Sequence, residues 1–398
     1  MRVLLCLVAL FFIFAPANAR NYAALDCLDI ECNHFSDLEA LGDQLSGKRI
    51  VFLGEATHGD GTTLKLKARI VKYLHERHGY DVLLFESGAA DMFAANHRIA
   101  NGENVDLALR DALFPIWAAT NEIDDLGTVL AATRMDLGGF DMQLSGARPQ
   151  VLIMKIFHLA DDLDIDPDPF RRIASGVALI RQEGRQGLVE LDAPRFAADA
   201  ASACQLLRTS DKSDADVWCY VFENLSYSVD YFKKIIDGGL SDTDFLKREE
   251  LMASNLQFLT DRYYKDRKVI VWGATSHLMG DRQLLDEFAI DHFESAGEQY
   301  VRSRDSKHDL YRIAFSASGG VYGRIFAGEE VPLADAEPGT IEFEATSKMQ
   351  DAPGAIVFLT PGERTTSRAL GHRPTSGDWG SALDAIIVMK EMSPTTMR

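Results

Sequence analysis

The chain has few positive charges and, beyond its first residues, no long apolar run. Its 398 residues carry 41 Lys and Arg against 60 Asp and Glu, a formal net charge of −19. Phosphate backbones and anionic membranes repel such a chain, which argues against nucleic acid and against stable membrane insertion. After Phe14 no apolar stretch approaches the roughly 20 residues that a bilayer span needs. Cysteine is scarce, with five in all, and none lies in a Cys-x-x-Cys spacing, so redox and zinc chemistry find little support. There is no Gly-x-Ser-x-Gly elbow, which disfavours a serine hydrolase, and neither a phosphate-binding P-loop nor a dinucleotide fingerprint. Internal repeats and low-complexity tracts are absent as well.

What is present begins with a targeting segment. Arg2 precedes the apolar run Val3–Phe14, and Ala17-Asn18-Ala19 is a small-x-small cleavage site. This pattern predicts a signal peptide over residues 1–19 and a mature chain, 20–398, that is periplasmic or secreted. The run is too short for the alternative, a membrane anchor. Four cysteines remain after cleavage: Cys27, Cys32, Cys204 and Cys219. In an exported chain they predict two disulfides, with buried free thiols as the alternative. Sequence proximity favours Cys27–Cys32 and Cys204–Cys219 over the other pairings. The length suits one large domain with a substantial insertion.

The hydrophobic pattern predicts α/β architecture. Residues 49–54 form an apolar strand ending at Gly54, and 62–78 a helix with Leu64, Ala68, Val71 and Leu74 on one face and Gly79 as its stop. A second strand, 81–85, ends at Glu86. Helices are expected over 89–101 and 121–134, and a short strand over 137–140 runs into Asp141. Alternating strands and helices predict a mostly parallel central sheet covered by helices. From about 148 to 262 helical periodicity dominates, with one weak strand-like run near 176–180, so a largely helical insertion is expected there. Strands resume at 268–272, 311–316, 355–359 and 384–389, and the Gly-, Pro- and Ser/Thr-rich stretch 361–381 reads as a surface loop.

Three strands end on residues suited to catalysis: Glu55 and His58 after the first, Glu86 after the second, His277 after 268–272. Parallel strands put these ends on one edge, where α/β sheets bind ligands. An imidazole can take a proton from water, a carboxylate on its other nitrogen fixes tautomer and orientation, and a second histidine can donate to an oxyanion or protonate a leaving group. Spacing alone is not distinctive, since Glu31-x-x-His34 matches Glu55-x-x-His58. Position does distinguish it, directly after a buried strand and flanked by Gly54 and Gly59, which allow a tight loop. His75 and His78 suit the last turn of a helix. Trp117 reads as core beside the candidate edge, and Arg248 with Glu249 as a solvated helix pair.

These residues carry a resemblance. Leu53-Gly54-Glu55-Ala56-Thr57-His58-Gly59 resembles the signature of the erythromycin esterase family. The later blocks follow the family's order: Gly79-Tyr80, Leu84-Phe85-Glu86-Ser87, Asn96 and Gly102, Trp117 with Glu122, Gly139-Phe140-Asp141-Met142-Gln143, Arg248-Glu249 with Met252-Ala253-x-Asn255, Val271-Trp272 through His277, and Leu383-Asp384-Ala385-Ile386-Ile387. The resemblance implies ester or lactone hydrolysis of a small molecule, with no cofactor and no obligatory metal. It implies His58 as the general base, Glu55 and Glu86 as orienting groups and His277 completing the site. Asp141, Trp117 and Arg248 become substrate-binding candidates. Three departures stand out: Ala274 where the family has a first histidine, Thr62 where a glutamate is usual, and Glu249 for an aspartate. They point to a substrate other than a typical macrolide. The competing expectation is a binding protein on the same scaffold, with Glu55, His58, Glu86 and His277 as ligands to a metal or haem, or a non-catalytic homologue. Oligomeric state stays open.

Overall fold

A computed structural model describes residues 21–398 except 33, 145, 162, 211–213, 289–292, 305–307, 325–328 and 349–350. The expected signal peptide, 1–19, lies outside the described residues. The strands in chain order are β1 (Tyr22–Leu25), β2 (Ile50–Glu55), β3 (Val82–Gly88), β4 (Asp136–Asp141), β5 (Val269–Ala274), β6 (Leu310–Ala317), β7 (Gly320–Arg324), β8 (Glu329–Leu333), β9 (Gly354–Phe358), β10 (Thr365–Ser367), β11 (Thr375–Gly377) and β12 (Ala385–Met389). Eight of them form one sheet in the order β1-β9-β12-β6-β2-β5-β3-β4. The run from β12 to β4 is parallel throughout, while β9 is antiparallel to both β12 and β1.

The apolar strand β2 explains itself through burial on both faces. Val51 and Leu53 enter one core cluster, with Leu64, Val71 and Leu74 of the helix Gly61–His78. Ile50 and Phe52 enter the other, with Val269, Val271, Phe170, Phe222 and Met252. Two-sided burial removes the need for polar alternation, which is why β2, β3 and β5 read as continuous apolar runs. The helix Gly61–His78 stops at Gly79, whose φ of +70° is left-handed and whose N–H donates to the carbonyl of His75.

The region 148–262 is helical: Gln150–His158, Asp168–Glu183, Arg185–Glu190, Ala193–Thr209, Ala215–Ile236 and Asp242–Phe258. The strand-like run at 176–180 is a correction. It lies inside the helix Asp168–Glu183, where Gly176, Val177 and Ile180 are the buried face. An apolar run of five residues fits either period, and neighbouring helices decided it. The stretch 361–381 is also more than a loop. It holds the β10–β11 pair and the short helix Trp379–Ala382, and buries Ser367, Arg368, Ala369, His372 and Trp379.

Cys27–Cys32 and Cys204–Cys219 are both disulfides, as proximity favoured. The second joins the helices Ala193–Thr209 and Ala215–Ile236 across a separation of 15 residues. A loop of that size restricts the unfolded chain by roughly 3 kcal/mol. Replacing Cys204 and Cys219 together with serine should lower unfolding free energy by about that amount, read from urea midpoints. An unchanged midpoint would mean the unfolded chain is already compact there. Among the described residues no helix is long and apolar enough to cross a membrane.

Candidate active site

The carboxyl ends of β2, β3, β4 and β5 meet on one edge, and their register sets the site. Glu55 of β2 is paired with Ala274 of β5, and Phe85 of β3 with Trp272. Glu86 therefore emerges level with Gly273. A Cβ on Gly273 would lie 2.9 Å from Glu86 Oε2, so glycine is what lets that carboxylate sit there. Glu86 Oε2 accepts the Ala274 N–H at 2.8 Å.

The loop after β2 turns sharply. Asp60 is fully buried and accepts from the Thr57 amide (3.1 Å) and hydroxyl (2.8 Å), closing the turn. His372 Nε2 holds the same carboxylate at 2.8 Å, and the Gly371 N–H donates to the Ala56 carbonyl. The Gly59 carbonyl accepts from Gly323 of β7 and from Thr395 of the C-terminal segment. A Cβ on Gly59 would lie 1.6 Å from the Gly323 oxygen, which excludes any side chain. Three segments far apart in the chain thus fix the turn that presents His58.

His58 Nδ1 meets Glu55 Oε1 at 3.0 Å, and its ring stands edge-on against Trp117, 5.1 Å away at 88°. Trp117 itself is fully buried. The other Glu55 oxygen binds Lys67 Nζ, and both side chains are completely buried. The same ammonium sits over the Trp272 ring, 4.1 Å from its centroid. Burial lowers the Lys67 pKa to about 8 against the pull of Glu55. Burial also opposes protonation of His58, but the Glu55 hydrogen bond and the Glu86 and Glu55 charges outweigh it and raise its pKa above 6.5.

A second imidazole stands beside the first. His277 Nδ1 lies 2.6 Å from Glu249 Oε1 and its Nε2 lies 3.3 Å from Glu86 Oε1. Burial disfavours its charged form, yet Glu249 and Glu86 together push the pKa up to about 9. Glu249 is anchored in turn by the Ala296 N–H, 2.8 Å from Oε2. Arg248, from the same helix, grips Asp141 through Nε (3.2 Å) and Nη2 (2.6 Å), and Nη2 lies 3.7 Å from Glu86. Burial opposes the charges on both partners, but the Arg248 guanidinium holds the Asp141 carboxyl below its usual range. Asp141 also accepts from the Met142 amide and the Gln143 side chain.

All seven sequence candidates converge here. Only His58 and His277 expose appreciable ring edge, while Glu55, Glu86 and Asp141 lie behind them and Arg248 is committed to Asp141. Of the remaining members, Lys67 went unrecognised in the sequence, and Glu249 was read only as a departure from the family's aspartate and as half of a solvated helix pair. Each was marked by a charge on an apolar helical stripe: Lys67 between Leu64 and Val71, Glu249 three and four residues before Met252 and Ala253. Thr62 faces elsewhere, accepting the Ser393 N–H at 2.8 Å. The Asp60–His372 clamp left no local trace. Among the described residues, the one group bringing three His, Cys, Asp or Glu ligand atoms within 4.8 Å is Cys27, Asp29 and Cys32, whose cysteines form a disulfide. The site's imidazoles meet carboxylates as hydrogen-bonding and ion pairs instead.

A family model described as erythromycin esterase matches residues 75–391. It takes in Glu86, Asp141, Arg248, Glu249 and His277, and starts after the Glu55–His58 turn. The chain is 24% identical over 383 residues to YbfO of Bacillus subtilis (strain 168), covering 89% of this chain and 84% of that one; its name places it provisionally among hydrolases. Among solved structures, a Bacillus cereus protein superposes with a TM-score of 0.72 at 18% identity, over 95% of this chain and 96% of that one. A mutant of the erythromycin esterase EreC, in its open conformation, gives a TM-score of 0.69 at 16% identity, over 94% and 98%. At those identities the two superpositions speak to fold alone.

Proposed function

Because this chain belongs to the erythromycin esterase family, we propose that it is an exported hydrolase that cleaves an ester, lactone or related acyl bond with a water activated by His58. One observation carries the reading: two imidazoles on the same strand edge, each with a buried carboxylate at Nδ1 and each with its pKa raised, that of His277 to about 9. Glu55 accepts the Nδ1–H of His58 and leaves Nε2 as the acceptor. Among the described residues nothing else bonds to that nitrogen. Water gives its proton to Nε2 as its oxygen attacks the acyl carbon. The His277 imidazolium faces the negative charge that then forms on the carbonyl oxygen, and does so in a partly buried site where charges interact strongly. Collapse breaks the bond to the leaving oxygen, which takes the proton from His58, and acid and alcohol depart. Glu86, between Arg248 and His277, orients the acidic member. Trp117 backs the His58 ring, and Asp141 holds Arg248 beside Glu86, so these three are proposed to act on the substrate through the groups in front of them. The two disulfides and the acidic surface suit a periplasmic or secreted setting.

The two imidazoles set a pH profile. His58 is a base only when neutral, so kcat/KM should rise with pH through a value above 6.5. His277 carries its positive charge only while protonated, so the rate should fall as pH passes about 9. A bell with its plateau on the alkaline side of neutrality is expected over a panel of esters and lactones, unchanged by chelator. A profile flat from pH 5 to 10 with a good substrate, or loss of activity on chelation, would remove these histidines from the roles given.

A further inference from the structure

The helical region holds a cavity that none of the catalytic side chains lines. Its volume is about 500 Å³, and its walls include Ile153, Ile180, Leu188, Val229 and Phe232, drawn from four helices. That size is typical of pockets for small ligands. Two arginines, Arg181 and Arg185, stand at its rim. Neither pairs with a carboxylate among the described residues. Arg181 donates only to the Leu144 carbonyl at 3.4 Å and Arg185 only to that of Ile236 at 3.4 Å. Arg172, on the same helix as Arg181, instead pairs with Asp168 and Asp199. In a chain of net charge −19, two guanidiniums four residues apart beside an apolar pocket, with no carboxylate partner among the described residues, offer an anion a favourable site. The wall also contains Ser228, fully buried, whose hydroxyl has no partner among the described residues.

The chain links the pocket to the catalytic centre. Leu144, which lines it, follows directly on Gln143, whose side chain donates to Asp141. Tyr231, one turn from Ser228, lies within electrostatic reach of Arg248 and Asp141. We propose that this cavity receives the non-reacting end of the substrate, and that this end is an aliphatic chain carrying a carboxylate, its apolar body against Ile153, Val229 and Phe232 and its anion at Arg181 and Arg185. The substrate class named in this way, an ester of a carboxylate-bearing aliphatic chain, rests on the hydrolase reading above; the binding site does not.

Calorimetric titration with octanoate tests the site without any reaction. Saturable binding is expected for the wild type, with octanol and octylammonium each at least tenfold weaker. Arg181→Gln should erase the advantage of octanoate over octanol, and Ile153→Trp, which fills the cavity, should abolish binding of both with circular dichroism unchanged. His58→Asn should bind octanoate as the wild type does. If octanoate fails to bind, binds equally well to Arg181→Gln, or is lost in His58→Asn, the pocket is not its site and the inference falls. Arg181 lies at the rim and outside the core, so that variant remains informative if Ile153→Trp does not fold. A protein that binds octanoate through Arg181 but hydrolyses no ester would sustain the pocket and remove the hydrolase. One that hydrolyses esters yet ignores octanoate would do the reverse.

Discussion

Replacing His58 with alanine should lower kcat/KM for any ester the protein turns over by about 10³-fold, equivalent to roughly 4 kcal/mol of transition-state stabilisation. The fold should survive. The ring makes one side-chain hydrogen bond, to Glu55, and one edge contact, with Trp117. Its removal leaves Glu55 still bound to Lys67, so no buried charge is stranded. The turn around it is held by Asp60, His372, Gly323 and Thr395, none of which touches the imidazole in the described contacts. Unchanged far-UV circular dichroism with turnover gone is therefore the expected pair of results. The loss should lie in kcat more than in KM, because the proton transfer belongs to the transition state. Full activity in this variant would end the assignment of His58 as base.

Much of this arrangement was legible in the chain because strands buried on both faces announce themselves. The apolar runs before Glu55 and Glu86 located two strand ends, and parallel pairing brought them together across the sequence. Asp141 was legible for the same reason, although its partner was not: Arg248 and Glu249 read as a solvated pair, yet Glu249 is 1% exposed. Local pattern cannot separate a charge facing water from one aimed at a buried imidazole when only the neighbouring apolar stripe differs. The residues 176–180 show the same ambiguity in apolar form, being a helix face where a strand was expected. What was not legible at all depended on distant chain. His372 lies 312 positions from Asp60, and the C-terminal segment from Ser393 to Thr396 reaches Gly61, Thr62, Gly59 and Glu122. No periodicity encodes such contacts.

Lys67→Met is the variant in which stability and chemistry should fail together. A lysine whose pKa has fallen to about 8 is held in the fold against its hydration. An ammonium so placed contributes little net stability, so its value lies in what it keeps in place, the charge and orientation of Glu55. Met has similar length and no charge, so packing against Trp272 is largely retained. Glu55 is then left fully buried with His58 as its remaining side-chain partner. Removing one member of a buried pair in this way costs about 3–5 kcal/mol. The pH dependence has a definite sign. The unpaired carboxylate can be relieved by a proton, on itself or on His58, whose folded pKa is already raised. Stability contributed by a raised histidine is present at low pH and lost as pH climbs through the folded value. The deficit against wild type should therefore be smaller at pH 5 than at pH 8, as read from urea midpoints. Adding Glu55→Gln should recover part of the loss, because the stranded charge is gone, and the non-additivity of the two substitutions measures their coupling. Activity should not recover in the double variant, since a neutral amide no longer stabilises the His58 imidazolium. Equal destabilisation at both pH values, or a double variant weaker than the sum of its parts, would mean that Lys67 serves packing and not the charge of Glu55.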